Sequence, residues 1–345
     1  MLGENRGEHL RTLGHNVGLV PELPDLVVYA ERLASLVVGQ PLQRVRLFSP
    51  FLLRSYEPPL SAAEGARVLR VERLGKHLVV ALEQELFLVL HLMISGRLLW
   101  RPPGTAPARK VGAAAFDFPE GSLLFTEAST KKRASLYLVQ GRVGLAPFDR
   151  GGIEPLEASQ DEFARALRSE NRTLKRALTD PRLFSGIGNA YSDEILHRAR
   201  LSPVARSQSL DAPSVARLHA ACVATLHEWT ERLRRKTPGV FPEKVTAFHD
   251  EMAVHGRFGQ ACPVCGTRVQ RIVYAQNEAN YCPTCQTDGR LLADRSLSRL
   301  LGADWPRSLE ELEEHLADRR AGAPPPSEHA KRSRVPRGRA SKRTR

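Results

Sequence analysis

The sequence predicts a two-domain α+β protein: an N-terminal β-sandwich with a flanking helix, then a C-terminal helical domain carrying a four-cysteine zinc ribbon. Three observations carry this. Between Gln43 and about Phe148 the apolar residues fall in short strand-like runs separated by turns bearing Pro or Gly. After Gly151-Gly152 they return at helical spacing, through Phe163, Leu167, Leu174 and Leu178. Finally, Cys262-x2-Cys265-x16-Cys282-x2-Cys285 forms two knuckles able to supply four thiolates to one tetrahedral zinc, which leaves no open coordination position for catalysis.

Composition narrows the class. The 345 residues hold 51 Lys and Arg against 38 Asp and Glu, a formal charge of +13, which favours a polyanionic partner, nucleic acid before an anionic membrane surface. No apolar run reaches the length of a membrane span; the longest, Leu86 to Ile94, has strand length and contains His91. Residues 1 to 19 carry Glu4, Arg6, Glu8, Arg11 and His15 and lack the apolar centre of a signal peptide. A cytoplasmic protein is expected. Pairing of four cysteines as CxxC, with Cys222 apart, suits bound metal in a reducing compartment better than a disulfide framework.

Taken in order, residues 1–20 form an extension with little periodicity. A domain over 21–150 opens on Pro21-Glu22-Leu23-Pro24-Asp25 and a helix from Asp25 to Gly39, with Leu26, Ala30, Leu33 and Val37 on one face and Gly39 as its stop. Strands follow at Val68–Leu74, His77–Leu82 and Leu86–Leu99. Residues 151–250 are helical, with Val215 to Leu233 the longest stretch and Pro238, Gly239 and Pro242 ending it. The cysteine module occupies 251–290. A helical extension over 291–323 includes a helix at 308–319, and 324–345 is a basic tail whose composition cannot bury a core.

Four stretches carry candidate chemistry. Proline alone offers a secondary amine when it is N-terminal, and Pro21 would then stand beside the Glu22 carboxylate; with residues 1 to 20 attached its nitrogen is a planar amide. The plain alternative is a helix entry, Pro24 in the first turn and Asp25 at the positive helix end. Ser185-Gly186-Ile187-Gly188-Asn189 reads as a tight turn, or as one whose backbone N–H groups and Asn189 amide converge on a phosphate. Lys76 sits at a hairpin between two strands, a common place for an exposed lysine. Around the zinc module, Arg257, Arg268 and Arg271 either face phosphates or form a solvated surface. His91 and Cys222 read as core residues.

In this order the pieces resemble the formamidopyrimidine-DNA glycosylase and endonuclease VIII family. Pro21 to Asp25 is similar to its mature N-terminus, Arg73 to Leu78 to its lysine-bearing hairpin, and Leu174 to Leu178 with Gly186 to Glu194 to its helix-two-turns-helix motif. Val254-His255-Gly256-Arg257 is similar to the approach to its zinc finger. The resemblance covers about Pro21 to Gln286. It implies a DNA glycosylase with lyase activity that flips the damaged nucleotide from the stack. Catalytic roles fall to Pro21 as Schiff-base nucleophile, Glu22 as proton carrier and Lys76 beside a lesion phosphate; DNA contacts fall to Asn189, Arg257, Arg271 and Lys132. It further implies one structural zinc on Cys262, Cys265, Cys282 and Cys285. The partner is double-stranded DNA with damaged bases or abasic sites, bound by a monomer in the cytoplasm at the nucleoid.

Four departures stand beside it: the extension before Pro21, the tail, Asn277 where the family usually has an arginine, and Thr130-Lys131-Lys132-Arg133-Ala134-Ser135 where the purine-specific branch has an Arg-Phe wedge. Val20 offers an account of the first, since a GTG codon read internally as valine can also initiate translation. The rival readings are a non-catalytic binder of damaged or abasic DNA and a zinc-ribbon module unrelated to repair.

Overall fold

The computed structural model describes residues 20–243, 245–274, 277–292, 306 and 308–312. Helix α1 (Leu23–Val37) forms because its entry satisfies its own donors: Glu22 N–H donates to Asp25 Oδ2 at 2.9 Å, half of a capping box, and Pro24 occupies the first turn. Leu26, Tyr29, Leu33 and Val37 make one buried stripe. Gly39, at φ +82°, turns the chain out of the helix.

That stripe packs on a sandwich of two four-stranded antiparallel sheets. One runs β1 (Arg44–Leu47), β6 (Gly112–Phe118), β7 (Gly121–Glu127), β5 (Gly96–Arg101); the other runs β2 (Val68–Leu74), β3 (His77–Leu82), β4 (Leu86–His91), β8 (Ser135–Gln140). Strand periodicity shows in β3, where Leu78, Val80 and Leu82 enter the sandwich core. Val79 and Ala81 face the other way, under Phe148 and Tyr137 beside short helix α2 (Gly141–Leu145). Covering both faces explains why β3 reads as a continuous apolar run.

The second half packs α3 (Gln160–Arg168), α4 (Leu174–Leu178), α5 (Asn189–Ala199) and α6 (Ala212–Lys236) around Phe163, Phe184, Tyr191, Leu218 and Trp229. Leu23 belongs to this core whereas Leu26, three residues later, belongs to the sandwich. The first turn of α1 therefore bridges the two halves. A zinc hairpin, β9 (Gln270–Tyr274) and β10 (Asn277–Tyr281), leads into α7 (Pro283–Thr287).

The expected strand Leu86–Leu99 is two strands in different sheets. Residues 92–95 turn between them, with Met93 at φ +51° and Gly96 N–H donating to Leu92 O at 2.8 Å; a Cβ at Gly96 would lie 2.3 Å from that same oxygen. The apolar run concealed the turn because both flanks are buried. The helix expected from Asp25 begins two residues earlier. Of the helix expected at 308–319 only 308–312 is described, with Ser308 Oγ accepting from Glu311 N–H at 3.2 Å; the basic tail and residues 1–19 lie outside the described residues. Among the described residues no helix is long and apolar enough to cross a membrane.

Candidate functional site

The Glu22 carboxylate is 2% exposed and is held by the turn opening α5. Its Oε2 accepts from Gly188 N–H at 2.7 Å and Tyr191 N–H at 3.2 Å, and its Oε1 from Ala190 N–H at 2.9 Å. These are donors a helix start leaves unpaired, so the carboxylate takes the place of an N-cap from 166 residues away in sequence. One expectation is corrected here: these N–H groups converge on Glu22 rather than standing free for a phosphate. Leu23 N–H donates to Gly186 O at 3.0 Å, fastening the entry of α1 to the same turn. Pro21 is buried beside it.

Lys76 lies at the β2–β3 turn and reaches this carboxylate. A Cβ at Gly188 would fall 2.3 Å from Lys76 Nζ and 2.4 Å from Glu22 Oε1, so ammonium and carboxylate both crowd this glycine, near one another though not within ion-pair distance. Burial lowers the Lys76 pKa, and the Glu22 charge opposes that fall. Lys76 is thus not the freely exposed turn lysine of the plain reading. The His77 and His91 rings pack tilted to one another nearby, with centroids 4.6 Å apart. His91 is half-buried rather than a core residue, and burial, with His77 and Lys76 close, pushes its pKa down to about 3. Cys222 is a core residue, 0% exposed.

Sequence reasoning missed the buried polar residues around this turn. Arg73 Nη1 donates to Gly75 O at 2.7 Å and to Ser185 Oγ at 3.1 Å, and its Nη2 pairs with Glu154. Lys175 Nζ donates to Asn189 O and to Asp193 Oδ1, each at 2.5 Å. Asp193 Oδ2 also lies 2.8 Å from His255 Nδ1 and accepts from Asn280 Nδ2 at 3.3 Å. Glu194 accepts from the N–H groups of Ala253, Val254 and His255 at 2.8 to 3.0 Å. The available signal was acidic Asp193-Glu194 inside a helix whose other residues from Ala190 to Leu196 also pack inward. The Asn189 Nδ2 amide is buried and has no partner among the described residues.

The remaining sequence candidates lie at two outer places. Arg257 is half-buried and donates to Met252 O at 3.2 Å, holding its own loop, while Arg271 lies 4.5 Å over the Phe258 ring and 3.4 Å from Glu278. Lys132, at φ +40°, donates from Nζ to Glu127 O at 2.8 Å. Residues 275–276 and the Asn277 side chain lie outside the described residues.

Sulfur atoms of Cys262, Cys265, Cys282 and Cys285 all lie within 4.8 Å of one another. Thiolates at about 2.3 Å from a tetrahedral zinc stand roughly 3.8 Å apart, so the donor set and its spacing fit one structural zinc. His197 Nε2, from α5, lies 3.3 Å from Cys262 Sγ and joins the ribbon to the helical half.

Comparison with known proteins agrees with this construction. Residues 20–133 match the formamidopyrimidine-DNA glycosylase N-terminal domain, 152–237 the H2TH domain of that enzyme, and 259–287 the zinc finger found in FPG and IleRS. The formamidopyrimidine-DNA glycosylase of Thermus thermophilus is 35% identical over 282 residues, covering 78% of this chain and 100% of that protein. That of Symbiobacterium thermophilum is 33% identical over 276 residues, covering 77% and 89%. Among solved structures, MutM in complex with DNA containing carbocyclic 8-oxo-G superposes with a TM-score of 0.69 at 25% identity, covering 77% of this chain and 100% of that one. A Lactococcus lactis FPG mutant with Fapy-dG-containing DNA gives the same TM-score, identity and coverage. With its two-sheet sandwich, its glycine turn closed on Glu22 and its four-cysteine ribbon, the chain belongs to the formamidopyrimidine-DNA glycosylase family of base-excision repair enzymes.

Proposed function

We propose that this glycosylase is also an abasic-site lyase, working through the amine of Pro21 once that residue is N-terminal. The observation that carries the reading is the Glu22 carboxylate: buried, oriented by three backbone N–H groups and with the Lys76 ammonium close by at Gly188, it stands next to Pro21 where the two halves of the chain join. The match to the N-terminal domain begins at residue 20, which agrees with initiation at Val20 and removal of the initiator residue.

The chemistry then runs as follows. The Pro21 nitrogen attacks C1′ of the deoxyribose, the bond from C1′ to the base breaks, and the base leaves with a proton. The C1′–O4′ bond then breaks, O4′ taking up a proton, and the nitrogen lone pair forms an iminium with C1′, which acidifies C2′. Loss of a C2′ proton expels the 3′ phosphate, and a second elimination expels the 5′ phosphate. Glu22 moves protons at the sugar, Lys76 and Asn189, with its unpartnered amide, face phosphates beside the lesion, and Arg257, Arg271 and Lys132 contact the DNA. The substrate is double-stranded DNA with a damaged base or an abasic site, bound by a monomer; the solved relatives with carbocyclic 8-oxo-G, Fapy-dG and abasic-site DNA support that choice. The cytoplasm, at the nucleoid, is the compartment this substrate implies. Residues 21–150, 151–250 and 251–290 act as catalytic, DNA-binding and zinc units.

Intact-mass and N-terminal analysis of protein made from the native gene, coupled to borohydride trapping on abasic DNA, tests this. A chain starting at Pro21 that traps supports it. A chain starting at Met1 that still traps shows that another amine is the nucleophile.

A further inference from the structure

We infer that Arg73 is a positioning residue for the Pro21 chemistry, holding the Lys76 ammonium over the Glu22 carboxylate by tying the β2–β3 turn to the Ser185–Gly188 turn. The inference rests on the function proposed above and concerns the same site.

Arg73 and Lys76 flank Gly75, whose φ of +59° makes the tight turn between them. Both cations press on one glycine turn in the other half of the molecule. A Cβ at Gly186 would lie 3.0 Å from Arg73 Nη1, and one at Gly188 would lie 2.3 Å from Lys76 Nζ. The Arg73 side chain is 10% exposed, and its planar fork contacts three separate pieces of chain: its own turn through Gly75 O, the glycine turn through Ser185 Oγ, and the segment after residue 150 through Glu154. Among the described residues no other side chain bonds the Gly75 carbonyl and the Ser185 hydroxyl together.

The physical need is clear from the lysine. A lysine stem has four rotatable carbons and an ammonium without directional preference, so its own backbone must be fixed if the charge is to stand at one place. Strand pairing fixes β2 and β3 up to Leu74 and His77 and leaves the two turn residues between them. Arg73 closes that gap by bonding the turn carbonyl itself. Its guanidinium is taken up by Gly75 O, Ser185 Oγ and Glu154, so it acts through Lys76.

The test uses protein shown to begin at Pro21. Single-turnover borohydride trapping on an abasic duplex reads the chemistry; the Kd of the same duplex with a reduced abasic site, which cannot form an iminium, reads binding. For Arg73→Ala, trapping should slow roughly 10- to 100-fold, the penalty when a group that aligns the sugar with Pro21 is displaced by about 1 Å, with Kd little changed. Arg73→Lys should restore only part, because one ammonium cannot bond Gly75 O, Ser185 and Glu154 together. Ser185→Ala should reproduce a smaller slowing and carries the test if Arg73→Ala does not fold. Unchanged trapping in these variants overturns the inference. So does a parallel fall of rate, affinity and melting temperature that Glu154→Gln reproduces, which would make Arg73 a bolt between domains. Wild-type protein that fails to trap overturns the underlying function instead.

Discussion

Lys175 Nζ lies 2.5 Å from Asp193 Oδ1, with the two side chains 4% and 0% exposed, making a buried ion pair between α4 and α5. The same carboxylate meets His255 and Asn280, so it joins the helical half to the approach and hairpin of the zinc ribbon. Removing one member leaves an unpaired buried charge. Asp193→Ala should therefore cost about 3–5 kcal/mol in urea unfolding, and Lys175→Met with Asp193→Leu should cost less than Asp193→Ala alone. Equal losses would argue against a coupled pair.

The pair also sets an acid limit. Burial alone would raise the Asp193 carboxyl, but the Lys175 charge and the His255 bond outweigh it, and the folded value falls below the ordinary 3.8. Such a group stabilises fully above its unfolded value, and the contribution is lost as pH falls through the depressed folded value. The stability gap between wild type and Asp193→Asn, followed by urea midpoint, should be constant near neutrality and narrow only below about pH 4. Narrowing already at pH 6 would assign the effect to another group.

Cys282 is 0% exposed and supplies one of the four sulfurs. Cys282→Ser should lower zinc content from one per chain and loosen the ribbon, and with it DNA binding; chelation of the wild type should do the same. Correctly folded protein without zinc by metal analysis would contradict this.

Glu22→Gln keeps the size of the side chain but turns an amide NH2 toward at least one of the N–H donors of Gly188, Ala190 and Tyr191. We expect base excision to be lost and stability to fall by about 1–3 kcal/mol. Full excision activity in the variant, measured on a single-lesion duplex, would remove Glu22 from proton transfer.

Residues 324–345 carry eight Lys or Arg and one acid. Deleting them should weaken nonspecific DNA binding and flatten the dependence of log Kd on log salt, leaving lesion preference intact. Loss of lesion preference on truncation would give the tail a role beyond electrostatic anchoring.

Three features were legible because their signal is local. The CxxC spacing places two sulfurs on each knuckle whatever surrounds them. The β2 and β3 limits were readable from their short strand-length runs and from Gly75 between them, and α6 from its apolar period and its proline and glycine end. Leu86–Leu99 misled because two buried strands and the turn between them are equally apolar, so periodicity had nothing to report there.

By itself, then, the sequence determined the order of sandwich, helices and ribbon, the metal's four ligands, and Pro21-Glu22 as the pair to watch. Tertiary structure decided what those residues meet. The turn opening α5 read as a plain tight turn or as donors for a phosphate until Glu22, 166 to 169 positions away, fills the N–H groups of Gly188, Ala190 and Tyr191. Lys76 read as an exposed turn until Gly188 made room for it beside that carboxylate. Arg73 and Lys175 gave no spacing signal, because a lone charge in a sequence is ordinary, and Asp193 gave only its place beside Glu194 in an apolar helix. Each acquires its role only when burial strips it of water and leaves the partner across the fold to replace that solvation.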